Sequence, residues 1–262
     1  MKPNRFNQLL AEGKSPVGHM LFEFTTRGTA QILEAAGIDF VVIDMEHSSF
    51  TISQTADLIA WLKGTTVAPF VRVPEIQYHH IARVMDAGAL GVLAPNVETA
   101  AEARALVDAA KYVPVGKRGF HHGGSTSDFK GAAPETFRQF MDEANDNATV
   151  MCLIESPEGM ENLEEIASTP GIDALWAGYA DLAQYMGIPG QFGNERFQNA
   201  LKRIADTARR QGLAAIIQPN NPQQLEDWLA LGYNTISYGA DTAIYREALA
   251  ATTAQVRKAV GR

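Results

Sequence analysis

Val41-Val42-Ile43-Asp44-Met45-Glu46-His47 runs from an unbroken apolar stretch straight into two acids and a histidine. Apolar side chains on successive residues mean that both faces are covered, as in the central strand of a parallel sheet. Proton-carrying groups at the carboxyl end of such a strand are what the mouth of an α/β sheet or barrel presents. The rest of the chain bears on one question: which other groups are carried to that mouth.

Working outward, the same alternation recurs. A short helix over Phe6–Ala11 precedes a strand over Val17–Phe24, a helix over Ala30–Ala36 ending at Gly37, and then the opening stretch. Ser53 caps a helix to Leu62, Val67–Val73 is a strand, Ile76–Asp86 a helix, Leu90–Ala94 a strand and Glu98–Ala110 a helix. Tyr112–Gly131 breaks the rhythm, and a helix near Pro134–Asn145 leads out of it. Strands over Thr149–Ile154, Asp173–Ala177, Leu213–Gln218 and Thr235–Tyr238 follow, with helices over Gly159–Ala167, Glu195–Gln211, Pro222–Leu231 and Thr242–Val260. Eight strand–helix cycles in 262 residues predict a single (β/α)₈ barrel domain, residues 1–262, ahead of a doubly wound open sheet.

Composition narrows the partners. A net charge of −8 without a cluster of Lys or Arg argues against nucleic acid or an anionic membrane surface. No apolar run approaches the ~20 residues of a membrane span, and Met1–Gly13 lacks the apolar segment of a signal peptide. The single Cys152 excludes an internal disulfide and a cysteine metal cluster. The expectation is a soluble cytoplasmic protein acting on small molecules.

The strand ends deliver Glu23, then Asp44, Glu46 and His47, then Arg72, Asn96, Glu155, Asp181 and Asp241. Glu155 and Asp181 follow consecutive strands, and two carboxylates without Cys or paired His suit a hard cation, Mg²⁺ or Mn²⁺. The competing assignment is a helix cap for Asp181 and an ion pair for Glu155. His47 is the best proton carrier, with Asp44 three residues earlier placed to hold its second ring nitrogen. Arg72 suits a substrate carboxylate or a developing enolate, or else an ion pair with Glu46 or Asp44. His121-His122 lie in the long loop and read as a substrate-facing lid; His79-His80 read as surface and Cys152 as core. Lys63, Lys111, Lys117 and Lys130 read as helix ends or loops, which weighs against a Schiff base. No Gly-rich phosphate cradle follows the seventh or eighth strand.

In order, Asp44-x-Glu46-His47, Val71-Arg72-Val73-Pro74, Lys117-Arg118-Gly119, Ile154-Glu155-Ser156 and Gly178-x-Ala180-Asp181-Leu182 resemble the motifs of the HpcH/HpaI aldolase family. These are metal-dependent class II pyruvate aldolases, and the resemblance runs from about Pro16 to Ala254. It implies reversible cleavage of a 4-hydroxy-2-oxo acid, of the 2-keto-3-deoxy sugar acid type, to pyruvate and an aldehyde through an enolate. It implies Glu155 and Asp181 as ligands of Mg²⁺, Mn²⁺ or Co²⁺, Arg72 on the enolate oxygen, and His47 oriented by Asp44 as base. Gly178, Ala180 and Asp181 would receive the pyruvate carboxylate, with Arg118 in the substrate-binding set. It further implies a homohexamer, a trimer of dimers, with the last helix exchanged between barrels. The chain departs from the family at Tyr179, where many relatives carry Pro, and in Phe120–Asp128, where they often carry a further Arg.

Overall fold

The computed structural model describes residues 1–261 as a closed barrel of eight parallel strands in chain order. The elements are α1 (Arg5–Ala11), β1 (Val17–Leu21), α2 (Gly28–Ala35), β2 (Phe40–Asp44), α3 (Ile52–Leu62), β3 (Ala68–Arg72), α4 (Tyr78–Asp86), β4 (Gly91–Ala94), α5 (Ala100–Ala110) and α6 (Phe137–Asn147). They continue with β5 (Thr149–Ile154), α7 (Pro157–Glu161), α8 (Leu163–Ala167), β6 (Ala174–Ala177), α9 (Tyr179–Tyr185), α10 (Glu195–Arg210), β7 (Ala214–Ile217), α11 (Pro222–Ala230), β8 (Thr235–Ala240) and α12 (Asp241–Ala259).

Alternate strand residues divide two cores. Met20, Phe40, Val42, Phe70, Leu93, Met151, Leu153, Trp176 and Ile216 fill the barrel. Val41, Ile43, Val71, Val92, Val150, Ile154 and Leu175 pack outward against the helices. That division explains why the strands read as continuous apolar runs. Phe6 of α1 plugs the amino end, meeting the rings of Phe40 and Phe70 edge-on at 5.2 Å each. Space at that layer is tight: a Cβ on Gly18 would fall 2.2 Å from the Phe40 ring. Since Phe6 is fully buried, Phe6→Ala should cost about 3–5 kcal/mol in denaturant unfolding, through lost transfer energy and a void.

Several boundaries differ from those the sequence suggests, each for a local reason. β1 ends at Leu21 rather than Phe24, because the Asp241 carboxylate takes the N–H groups of Phe22, Glu23 and Phe24 and draws them off the ladder. Thr51, not Ser53, caps α3, in a reciprocal capping box with Gln54. The helix expected over Gly159–Ala167 is two, α7 and α8, broken at Asn162, whose side chain donates to the Glu98 carbonyl. The segment after β6, read only as a strand end, is helix α9.

The final helix stands apart. In its 19 residues only Asp241 is buried, while Ile244, Tyr245, Leu249 and Val256 are each 45–57% exposed. No helix in the described residues is long and apolar enough to cross a membrane.

Candidate active site

Parallel register carries the strand-end residues to one rim. Asp44 and Arg72 are register partners on β2 and β3, so their side chains emerge side by side. Asp44 is fully buried and accepts from Arg72 Nε at 2.8 Å and from its terminal nitrogen at 2.7 Å. The same carboxylate also takes the backbone N–H groups of Glu46 and His47, at 3.0 and 3.2 Å. One acid thus shapes the turn after β2 and locks a forked guanidinium in place. Burial alone would lower the Arg72 pKa; the bonds to Asp44 and the fields of Glu46 and Glu155 raise it instead.

This arrangement corrects one expectation. Asp44 does not hold the imidazole of His47. The ring Nε2 lies 3.6 Å from the Glu46 carboxylate, and the side chain is 58% exposed. Glu46 therefore stands between the His47 ring and the Arg72 guanidinium, the latter at 3.2 Å. Its Oε2 is buried without a hydrogen bond among the described residues. Burial raises the Glu46 pKa, Arg72 and His47 pull it down, and Asp44 and Asp181 add to the rise.

Across the barrel, Glu155 follows β5 and is 4% exposed. Its Oε1 accepts the Asn96 N–H at 2.8 Å, an N–H aimed by a left-handed Asn96 at φ 47°. Burial pushes the Glu155 carboxyl up to about 7, the Asn96 bond opposes this, and the charges of Glu46 and Asp181 add to it. Gly178 faces Glu155 so closely that a Cβ there would sit 2.3 Å from Oε2 and 2.5 Å from the Glu155 Cβ. Only glycine leaves room for that carboxylate.

Asp181 sits in the first turn of α9, next in the ring of strands after Glu155, and its field reaches both Glu155 and Glu46. No side chain caps α9. The first-turn N–H groups at Ala180 and Asp181 precede the first i−4 bond, from Leu182 to Gly178. Tyr179 turns away from the mouth. Its ring packs on Phe192 and Trp228 at 5.2 and 4.9 Å, and its hydroxyl accepts from Asn220.

The residues fit a hard divalent cation in donor chemistry. Glu155 and Asp181 offer carboxylate oxygens, and Gly178 is shaped around one of them. No group of three or more His, Cys, Asp or Glu side chains is preassembled for a metal among the described residues. Two protein ligands would leave the other positions to water and substrate oxygens, the pattern typical of Mg²⁺.

Other expected site residues lie elsewhere. Arg118 is buried on the outer wall toward the amino end, paired with Asp86 at the close of α4 at 2.6 Å and set over the Tyr112 ring. It does not reach the mouth of its own barrel, because the loop that carries it precedes β5 instead of following a strand. His122 is no lid over that mouth either: its ring packs on Phe120 and Phe137, and its Nδ1 accepts the Ala132 N–H. Asp241 points into the turn after β1. Two mouth residues escaped the sequence reading. Phe22 lies against the Arg72 guanidinium at 5.9 Å, and Gln218 reaches the Gly239 carbonyl at 3.2 Å. Each immediately follows an outward-packed last strand residue, Leu21 or Ile217, so strand alternation turns it inward, and that position was the available signal.

The strands of one parallel barrel deliver acids, one arginine and one histidine to its carboxyl rim, and the relatives of the chain show which class of chemistry such a rim serves. The family model described as HpcH/HpaI aldolase/citrate lyase matches residues 20–248. The chain is 32% identical over 246 residues to a 2-keto-3-deoxy-L-rhamnonate aldolase of Klebsiella pneumoniae, covering 94% of this chain and 90% of that protein. In three dimensions it resembles an HpcH/HpaI aldolase of Desulfitobacterium hafniense with a TM-score of 0.89, at 27% identity and 95% coverage of both chains. It also resembles the citrate synthase SbnG, with a TM-score of 0.87 at 26% identity and 98% coverage of both. The chain belongs to the HpcH/HpaI aldolase/citrate lyase family.

Proposed function

We propose that this lyase reversibly cleaves a 4-hydroxy-2-oxo acid, of the 2-keto-3-deoxy sugar acid type, to pyruvate and an aldehyde. The observation that supports the reading is the arrival at one barrel rim of Glu155 and Asp181, the charge of Asp181 acting on both Glu155 and Glu46, with Arg72 locked by Asp44 and an exposed His47 beside Glu46. The identity to 2-keto-3-deoxy-L-rhamnonate aldolases supports the substrate class.

Glu155 and Asp181 would hold Mg²⁺ or Mn²⁺, with Co²⁺ as a further candidate, and the ion would supply Lewis acidity to the 2-oxo group. The first-turn N–H groups of α9 would orient the substrate carboxylate. Arg72 gives two of its five N–H groups to Asp44, and those that remain would serve oxygen on which charge grows during bond breaking. His47 takes the C4 hydroxyl proton in cleavage and returns it in synthesis, its ring steered by Glu46. Aldehyde departure then needs no covalent enzyme adduct. In agreement, none of the eight strands carries a lysine. Lys63, Lys111 and Lys117 are engaged with Asp128, Asp173 and Asp108.

The apolar side chains along α12 fit exchange of this helix between barrels in a homohexamer, a trimer of dimers. Sedimentation of the intact protein should show an oligomer, and truncation before Ile244 should shift it to smaller species.

A coupled assay for pyruvate release from 2-keto-3-deoxy sugar acids tests the reaction. EDTA should abolish turnover and added Mg²⁺ or Mn²⁺ restore it, while borohydride with pyruvate should leave the protein unmodified. Release of CO₂ from oxaloacetate, or of CoA from an acyl-CoA, without retro-aldol activity would assign a different lyase reaction to the same site.

Metal affinity should depend on pH in a definite direction. Glu155 must lose its proton to bind a cation, and its pKa of about 7 places that loss near neutrality. Calorimetric titration should therefore show binding that tightens and releases a proton as pH rises toward 7, then levels off above it. Affinity independent of pH from 5 to 8 would contradict the assignment.

A further inference from the structure

The turn after β1 is held by a device that the reaction scheme above does not use. Asp241, 5% exposed, accepts hydrogen bonds from the N–H groups of Phe22 at 3.1 Å, Glu23 at 2.9 Å and Phe24 at 2.8 Å. It also takes the N–H of Thr242, at 2.8 Å. Both carboxylate oxygens are therefore spent on backbone donors, three of them from consecutive residues of another strand's loop. A second tether lies one turn further along α12, where the Tyr245 ring meets Phe24 edge-on at 5.6 Å. Phe22, set by the first tether, is partly buried against the barrel interior and lies against the Arg72 guanidinium.

Position in the ring gives this latch a role. β1 stands opposite β5 in the closed barrel of eight, so the Phe22 wall faces the Glu155 pocket across the mouth. With the pyruvate half of a substrate on Glu155 and Asp181, the remaining carbons extend toward His47 on β2 and Phe22 on β1. We propose that Asp241 is a positioning residue that holds the Phe22–Phe24 loop as the wall receiving the aldehyde half. This rests on the aldolase reading above. Because the carboxylate belongs to α12, that wall is set by the helix whose own apolar side chains are exposed.

The test separates the two halves of the reaction. Exchange of pyruvate methyl protons with D₂O, followed by NMR with Mg²⁺ present, reports the pyruvate half alone. Aldol addition of pyruvate to glycolaldehyde reports both. Asp241→Ala should raise the glycolaldehyde KM by about tenfold or more, since bonds to a buried charged group are lost, while pyruvate exchange stays within about twofold. Asp241→Asn keeps one acceptor oxygen and should recover part of the loss. A merely structural role would depress exchange and addition in parallel.

Should Asp241→Ala fail to fold, Phe24→Ala removes the second tether and should raise the same KM by a smaller factor with exchange preserved. Exchange in the wild-type protein with an unchanged glycolaldehyde KM in the folded variants overturns the latch alone. Absence of exchange in the wild-type protein overturns the aldolase reading and this proposal with it.

Discussion

Arg72→Lys should lower kcat by about 10²–10³-fold, the loss expected when a fixed donor to developing oxyanion charge is removed. The charge is conserved in this change, and the geometry is not. Asp44 grips the guanidinium through two parallel bonds of 2.8 and 2.7 Å, and an ammonium cannot copy that fork. A lysine that satisfied Asp44 would leave the substrate oxygen without its donors, and one that turned to the substrate would leave Asp44 half-paired. KM should move less than kcat, because the contact strengthens mainly as charge develops. Arg72→Ala should add a fold penalty of about 3–5 kcal/mol, since the fully buried Asp44 then loses its cationic partner and keeps only the backbone N–H groups of Glu46 and His47. Thermal unfolding of both variants beside steady-state kinetics separates these effects. Near-normal kcat in Arg72→Lys would remove Arg72 from the chemistry.

The second large effect is expected from one methyl group. Gly178→Ala places a Cβ 2.3 Å from Glu155 Oε2 and 2.5 Å from the Glu155 Cβ. A carboxylate tip could swing aside at modest cost, but the root of the side chain cannot, so β5 and the start of α9 must separate. That displaces Glu155 and Asp181 relative to each other, and metal affinity should fall by about 10–100-fold, as for other disturbed ligand supports. Activity at limiting metal should fall accordingly and return in part when metal is raised. The fold itself should lose about 1–3 kcal/mol from overpacking. Unchanged metal affinity in a folded Gly178→Ala protein would mean that the pocket is not built around this close approach.

What the sequence discloses and what it hides follow from the range of the forces involved. All eight strands are legible because burial on both faces writes itself as contiguous apolar runs. Strand ends are legible for the same reason, and Asp44, His47, Arg72, Glu155 and Asp181 stand where those runs stop. Hydrogen bonds between distant segments leave no such trace. Nothing near Val17–Phe24 reveals that Asp241 will cut β1 short at Leu21. The pattern Asp44-x-Glu46-His47 suggests an Asp–His pair by spacing. In space the stronger donor Arg72 claims Asp44, and Glu46 is left beside the ring. Arg118 enters the substrate-binding set through the family resemblance alone, and its place before β5 sends it to the outer wall of its own barrel and to Asp86. Ser53 and Thr51 are both good caps, and only the reciprocal partner Gln54 decides between them.

Glu155 and Asp181 are proposed to hold one divalent ion together, within reach of Arg72 and His47. Electron paramagnetic resonance of Mn²⁺ titrated into the metal-free protein tests it most directly. One bound ion per chain is expected, with a spectrum that changes when pyruvate is added and with binding lost in both Glu155→Gln and Asp181→Asn. Stoichiometric Mn²⁺ binding that survives both substitutions, or a spectrum indifferent to pyruvate, would contradict it.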